Sequence, residues 1–481
     1  MAKVREALKL LSKDQVYQIH TASMEILERV GVRLPDLDLL KTLEEAGAVV
    51  DYKSCIAKLP QQLIMEFVRE IPHQWTIYAR NPENDMKVGY GEMRTLSSGG
   101  HINLIDPITK TRRTGTTRDL EKGIKIGDAL KNITIVGPLI LPAHDIPIEA
   151  LDVYTCAQLI KGSSKVVFTW IYNEKTGNYV LKIFEILAGG EEALRKKPML
   201  WYFCEPTSPL TFATNALGVL KLFARYGLPI TFGPMVMASA SGPATLAGTL
   251  AVENAEIVAG AVITQILNPG IPVEYGGIPH IFDQRSGTIA FGSPEQGVMA
   301  AAITQVGRFY GFPVHVNTGL TDSKAADAQS AFEKGMTLLM SGLAGAELYG
   351  HLGILGADQG VSFEQLVIDD EIVSYLKRML ADFRTEQEDL AVDVVQRVGP
   401  GGSFFTQRHT LQHLRSEFWY PTLCDRNGWD KWCEKGAKDM LVRAHQKVEE
   451  ILKSHEPEVL DKDAEKAIDQ QVRSAFKALV K

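Results

Sequence analysis

Residues 346–371 read AELYGHLGILGADQGVSFEQLVIDDE, and residues 312–322, shortly before them, read FPVHVNTGLTD. Each begins as a short apolar run, turns polar and then Gly-rich, and is followed by a long helical pattern. That succession is how a barrel strand looks where it opens into an active-site mouth. Working outward from this pair, the same texture recurs from about residue 95: β-type runs of four to seven residues, each followed by a helical stretch of fifteen or more. The runs are 95–98, 133–137, 166–170, 199–205, 229–233, 272–277, 313–317 and 346–351. Eight strand–helix units within 95–384 predict an α/β fold, a (β/α)8 TIM barrel with its site at the C-terminal ends of the strands. An open doubly wound sheet would alternate in the same way, but no GxGxxG follows the first run.

The flanks differ in texture. Residues 1–94 are expected as an N-terminal helical extension: 14–30 carries Val16, Ile19, Ile26, Leu27 and Val30 at helical spacing behind the N-cap candidate Ser12, 37–46 repeats the pattern, and Pro60 starts a third helix. Residues 385–481 are expected as a C-terminal helical cap, with a turn at 399–402, GPGG. Inside the barrel, Ser293 with Pro294 and Gln296, and Ser362 with Gln365, each predict an N-cap and capping box.

Composition narrows the function. The 481 residues are 45% hydrophobic and 23% charged, enough for one large core without staples. A net charge of -7, spread without a basic block, argues against nucleic acid and for a small molecule or a protein partner. No run of 18 or more apolar residues is free of charges and breakers, so no membrane span is expected. Cys55, Cys156, Cys204, Cys424 and Cys433 are odd in number, scattered and without a signal peptide ahead of them, which predicts reduced thiols in the cytoplasm. His409, His413, Cys424 and Cys433 are zinc-type donors, but their spacing matches no common closed site, and no metal is expected. Walker, HExxH and GxSxG sequences are absent. The small residues of 242–266, among them Ala244, Gly248, Ala255 and Gly260, suit either close packing on the barrel or contact with a second copy.

Strand parity selects the candidate site. One face of a barrel strand packs on helices and the other faces inward, where the upper layer tolerates polar groups. The seventh run sets His315 and Asn317 against Val314 and Val316; the eighth sets Glu347, Tyr349 and His351 against Leu348. The fourth aligns Trp201, Phe203 and Glu205, the sixth offers Glu274 with Gly276, and the third ends in Thr169-Trp170. A mouth built from Trp170, Phe203, Glu205, Glu274, His315, Asn317, Tyr349 and His351 is aromatic and acidic together, which suits an ammonium or quaternary ammonium group. Taken singly, each of these residues serves equally well as a core hydrogen-bond partner or as layer packing.

The stretches PVHVNTGLTDSKAADAQSAFEKG at 313–335 and GADQGVSFEQLVIDDEIV at 356–373, with LSKDQVYQIHTASMEILERVGV at 11–32, resemble the trimethylamine methyltransferase (MttB) superfamily over nearly the whole chain. The resemblance implies a barrel that moves a methyl group from a methylated amine to the cobalt of cobalamin carried by a separate corrinoid protein, in a homo-oligomer, with no tightly bound cofactor of its own. The trimethylamine enzymes hold pyrrolysine at a position falling within 354–359, and this chain has none. It is therefore similar to the non-pyrrolysine branch, which implies a quaternary amine, with glycine betaine first and proline betaine, carnitine or gamma-butyrobetaine as alternatives. On that reading Trp170, Phe203 and Tyr349 cage the trimethylammonium, Glu205 and Glu274 balance its charge, and His315, Asn317 and His351 orient its polar end. Arg285, Gln359 and the Gly-rich loop are further candidates for its carboxylate. No catalytic acid or base is assigned, because a neutral tertiary amine leaves without needing a proton. A barrel lyase or decarboxylase using His315 and Glu205, and a non-catalytic betaine-binding protein, stay open as other classes.

Overall fold

The computed structural model describes residues 6–480. Each of the eight runs contributes a strand: β1 Arg94–Ser97, β2 Ile135–Val136, β3 Val166–Val167, β4 Tyr202–Cys204, β5 Ile230–Phe232, β6 Val273–Gly277, β7 Val314–Val316 and β8 Leu348–Leu352. They form one parallel sheet in the spatial order β3-β2-β1-β8-β7-β6-β5-β4. Because β8 pairs with β1, the first and last strands are neighbours and the sheet curls round on itself. Between β3 and β4 no ladder forms, and aromatic rings fill the seam instead. Phe168, just past β3, meets Trp201 and Phe203 at centroid distances of 5.7 and 6.2 Å, and Trp170 meets Phe203 at 5.9 Å.

A helix follows every strand: α1 Thr117–Ala129, α2 Leu151–Gly162, α3 Glu174–Ala188, α4 Thr214–Tyr226, α5 Leu246–Leu267, α6 Pro294–Phe309, α7 Ala328–Ala344 and α8 Phe363–Leu380. Their apolar sides pack on the sheet, so the strands are buried on both faces. α5 is long and apolar enough to cross a membrane by length and composition, yet 83% of its most apolar window is buried in this fold. It packs on α4, on α6 and on the N-terminal helices Lys13–Arg29 and Gln61–Val68. Its small residues serve that packing: a Cβ on Gly260 would lie 2.4 Å from the Phe232 ring. The stripe is therefore used within the chain.

The caps form where the sequence marks them, with one difference. Ser12 and Gln15 make a complete capping box. Ser293 and Ser362 cap α6 and α8 by accepting from the Gln296 and Gln365 amides, but neither glutamine side chain returns to the cap. Gln296 Nε2 donates to the Asn317 carbonyl at 2.9 Å, and Gln365 Nε2 to Asp369 Oδ1 at 2.8 Å. Each gives up half a box to hold a group near the strand exits.

Before the curled sheet, Lys13–Arg29, Leu37–Glu45 and Gln61–Val68 accompany a small antiparallel sheet of Val32–Arg33, Ile56–Lys58 and Val49–Asp51. After it, the helix Met440–Ser454 lies on α8 and α1, and Lys462–Leu479 on α2 and α3, forming a second layer along one flank. Two further sheets rim the exits. Ile354–Leu355 and Gly360–Val361, after β8, join Asn103–Asp106 and Thr111–Thr114, after β1; Met237–Ala238 joins His280–Asp283 and Thr288–Ala290 after β5 and β6.

Candidate active site

At the exits of β3, β4, β7 and β8 five rings form one connected cage. Phe168 stands edge-on to Trp170 at 5.1 Å, Trp170 edge-on to Phe203 at 5.9 Å, and Phe203 edge-on to His315 at 5.3 Å. His351 joins at 6.4 Å from Phe168 and 6.3 Å from Trp170. Glycines make this possible. A Cβ on Gly233 would sit 2.2 Å from Phe203, and one on Gly99 would sit 2.8 Å from Phe168. In edge-to-face pairs one ring's π face meets its neighbour's edge, and such π faces are what attract a cation.

Below the rings lies a polar floor. Thr231 Oγ1 donates to Glu274 Oε2 at 2.8 Å. The other oxygen of Glu274, both ring nitrogens of His315 and Oδ1 of Asn317 are buried and make no hydrogen bond among the described residues. His315 Nδ1 is 3.8 Å from Glu274 Oε2, but this is not an ion pair. Burial first, then the charges of His351 and Arg94, hold the His315 pKa well below the usual imidazole value, so the ring is neutral. Burial likewise pushes Glu274 up to about 7, against the pull of Arg94 and Thr231. Gly350 of β8 faces this floor: its Cβ would lie 2.2 Å from Asn317 Oδ1 and 2.9 Å from His315 Nε2. Unpaired buried polar atoms are costly, and their convergence marks a place built to receive a polar ligand.

Acids close the rim. Glu205, at the end of β4, is pushed up to about 7 by burial and, second, by the charge of Asp358. Asp358 belongs to the hairpin tip between Ile354–Leu355 and Gly360–Val361, and burial raises its carboxyl too. That tip is strained: Ala357 and Asp358 both have left-handed φ, 52° and 62°. It is tied down by His101 Nε2 to the Asp358 carbonyl at 2.6 Å and by Asn103 Nδ2 to the Gln359 carbonyl at 3.3 Å.

The cluster holds Trp170, Phe203, Glu205, Glu274, His315, Asn317 and His351 of the residues singled out from sequence. Tyr349 corrects the parity expected for β8. Its hydroxyl donates to the Ala346 carbonyl at 2.5 Å and lies beside Gly342 of α7, on the helix side of the sheet. Leu348, in register with His315, takes the inner face with Gly350, and a bulge between Tyr349 and Leu352, with φ of 67° at His351, brings that histidine back to the cage. Glu347 lies at the entry of β8, accepting from Arg94 Nη2 at 3.0 Å and from the amides of Gly89 and Gly91. Gln359 is exposed, with Oε1 3.4 Å from Arg112 Nη1, and Arg285 is exposed in the 280–290 hairpin. Neither reaches the floor.

Two members lie outside the expected set. Phe168 shares the parity of Trp170 in the third run; Asp358 lies in the Gly-rich loop, and the hairpin brings its charge within reach of Glu205. His409 and His413 stack at 4.2 Å on the helix Arg408–Glu417, and no group of three or more metal-type ligands gathers among the described residues.

Comparison with known proteins gives the relationship. The profile of the trimethylamine methyltransferase (MTTB) family matches residues 2–476. The chain is 34% identical over 462 residues to a glycine betaine methyltransferase of Desulfitobacterium hafniense strain Y51, covering 96% of each. It is 33% identical to a trimethylamine methyltransferase MttB of D. hafniense strain DSM 10664 / DCB-2, over 93% of this chain and 90% of that one. It is also 33% identical to a trimethylamine methyltransferase MttB of Methanosarcina barkeri strain Fusaro, over 98% and 96%. In fold it is similar to the crystal structure of the hydroxylamine MtmB complex, with a TM-score of 0.52 at 12% identity over 98% of this chain and 88% of that chain.

Proposed function

The chain belongs to the trimethylamine methyltransferase family and is a methyltransferase; from that premise we propose that it moves a methyl group from a quaternary amine, glycine betaine first, to the Co(I) of cobalamin on a separate corrinoid protein. The observation that carries the substrate class is the cage: Phe168, Trp170 and Phe203 interlocked at 5.1 to 6.2 Å, with Glu205 at the exit of β4 and the charge of Asp358 acting on it. Rings and acids together hold a fixed cation without a proton donor beside its nitrogen. Glycine betaine is favoured because the relative of that name covers 96% of the chain and because 354–359 holds no pyrrolysine.

The site's task is positional. The corrinoid supplies the nucleophile. As one N–CH3 bond breaks, its electron pair stays on nitrogen, the methyl passes to cobalt, and a neutral tertiary amine leaves. No general acid is required. Phe168, Trp170 and Phe203 hold the ammonium with one methyl toward the mouth, in line for transfer. His315, neutral and buried, presents its single ring N–H to the substrate's carboxylate; Asn317, whose Oδ1 makes no hydrogen bond, turns its Nδ2 there by an amide flip, and Glu274, protonated below about 7, adds a donor. The fold that suits this is a (β/α)8 barrel whose β3–β4 seam is the ring cluster, in a cytoplasmic homo-oligomer.

The test is anaerobic: purified enzyme, a reduced corrinoid protein and a panel of betaines, followed by the spectrum of the cobalt. Methyl-cobalt formation with glycine betaine, and none without amine, is expected. No transfer from any quaternary amine to a competent corrinoid protein would sink the proposal, and product formed without corrinoid would point instead to lyase chemistry through His315 and Glu205.

A further inference from the structure

The two stretches that flank the mouth, 313–335 and 356–373, meet through one ion pair. Lys334 of α7 and Asp369 of α8 are wholly buried side chains, with Nζ 2.8 Å from Oδ2. Each also holds a glycine just past a strand that carries the site. Lys334 Nζ donates to the carbonyl of Gly319 at 2.9 Å, and Asp369 Oδ2 accepts from the amide of Gly353 at 2.7 Å. Gly319 stands two residues after Asn317, and Gly353 two after His351. Both glycines have left-handed φ, 84° and 92°, so the chain turns sharply there. Their remaining backbone groups are tied as well. The Gly319 amide donates to Thr337 Oγ1 at 3.2 Å, and the Gly353 carbonyl accepts from the Ser362 amide at 2.9 Å. Gln365 occupies the second oxygen of Asp369, fixing its rotation.

We propose that the Lys334–Asp369 pair is a clamp that positions the exits of β7 and β8, and through them Asn317 and His351, against the substrate held in the cage. The proposal rests on the reading of this cluster as the amine site. Stability alone is a poor reason for such a pair. The cost of taking two charges out of water roughly offsets their attraction, and buried pairs are often replaced by apolar residues without loss. Geometry is a better reason: an ion pair with each end on a different strand exit couples the two turns, whereas apolar packing would leave them free to slide. A displacement of about 1 Å in a positioning group costs about a hundredfold in rate. Lys334 and Asp369 touch no part of the cage, so they act through Gly319 and Gly353 as positioning residues.

The test uses the double variant Lys334→Met/Asp369→Asn, which leaves no unpaired buried charge, and Thr337→Val, which loosens Gly319 while keeping the pair. Three quantities are read well below the melting temperature: glycine betaine affinity by calorimetry, the single-turnover rate of corrinoid methylation, and hydrogen exchange of the peptides spanning 317–323 and 351–361. Leu27→Ala, in an N-terminal helix core far from the mouth, serves as the destabilised control. The clamp predicts faster exchange confined to those peptides and a single-turnover rate at saturating glycine betaine lower by about tenfold or more; affinity falls as well, because His351 is one of the five rings and Asn317 faces the substrate's polar end. The control should lose melting temperature and keep its rate. Exchange unchanged in the folded double variant overturns the clamp, and so does local loosening with an unchanged rate. Should the parent enzyme transfer no methyl group from any amine, the proposed function falls, and the exchange data still decide whether the pair holds the exits.

Discussion

Glu205 is the side chain whose proton the substrate would displace. A quaternary ammonium does not titrate, so any pH dependence of its binding belongs to the protein. With Glu205 pushed up to about 7, the carboxyl is neutral below that pH and ionised above it. The Glu205 contribution to glycine betaine affinity should therefore rise as pH increases from 6 to 8, with protons released near pH 7. Glu274 loses its donor proton over the same range and pulls the other way, so the contribution is read as the difference between parent and Glu205→Gln, by calorimetry in buffers of different ionisation enthalpy. Glu205→Gln should leave only the opposite dependence that Glu274 contributes. Stability runs the opposite way, falling as pH rises. The folded-state pKa lies above the unfolded one, so the cost of burying the charge appears as pH rises past the unfolded carboxyl range and is complete above about 7. Glu256 and Glu274 sit at about 7 as well, so the difference between parent and Glu205→Gln isolates this group. A second residue-scale test is Gly350→Ala. The added methyl would stand 2.2 Å from Asn317 Oδ1, so kcat/KM should fall about tenfold or more with amine affinity the first quantity lost. An unchanged kcat/KM would remove Asn317 and His315 from the site.

Elements show how local signals were put to other use. Ser362 keeps its capping role at α8, accepting from the Gln365 amide at 3.3 Å, and Ser362→Ala should cost about 1 kcal/mol, measured as a lower denaturant midpoint at unchanged slope. The partner half of that motif was readable but misleading, because Gln365 and Gln296 turn to Asp369 and Asn317 instead. The eight strands were legible as apolar runs at regular spacing. Which face each residue takes was legible in β6 and β7, where polar and apolar residues alternate, and in β4 only from Glu205 at its end. It failed in β8. A parallel strand buried on both faces carries apolar side chains on both, so Tyr349 outward and Leu348 inward is as compatible with burial as the reverse. The bulge that returns His351 to the cage leaves no periodic trace.

At the scale of the molecule, the C-terminal region is uneven. Phe404 and Phe405 are exposed, Phe405 at 89%, next to the turn at 399–402, and the helix Arg408–Glu417 buries none of its residues. Farther on, Met440–Ser454 and Lys462–Leu479 bury Ala444, Val448, Ile451, Ile468 and Ala475 against barrel helices. Brief chymotrypsin treatment of the native protein should cut at 404–405 before any barrel site, and the two fragments should stay together on a native gel. First cleavage within the barrel, or separation of the fragments, would contradict this account of the packing.

The sequence by itself determined the order of strands and helices, most helix starts, the family relationship, and the residue types gathered at the mouth, because these depend on neighbours a few positions apart. Only the tertiary structure decided that rings rather than a ladder fill the β3–β4 seam, that the charge of Asp358 acts on Glu205, that Tyr349 faces away, and that Lys334 and Asp369 join two strand exits. Each of those is a meeting of residues far apart in the chain, fixed by how the sheet curls and where a bulge or a left-handed turn redirects the backbone, and no short-range pattern encodes it.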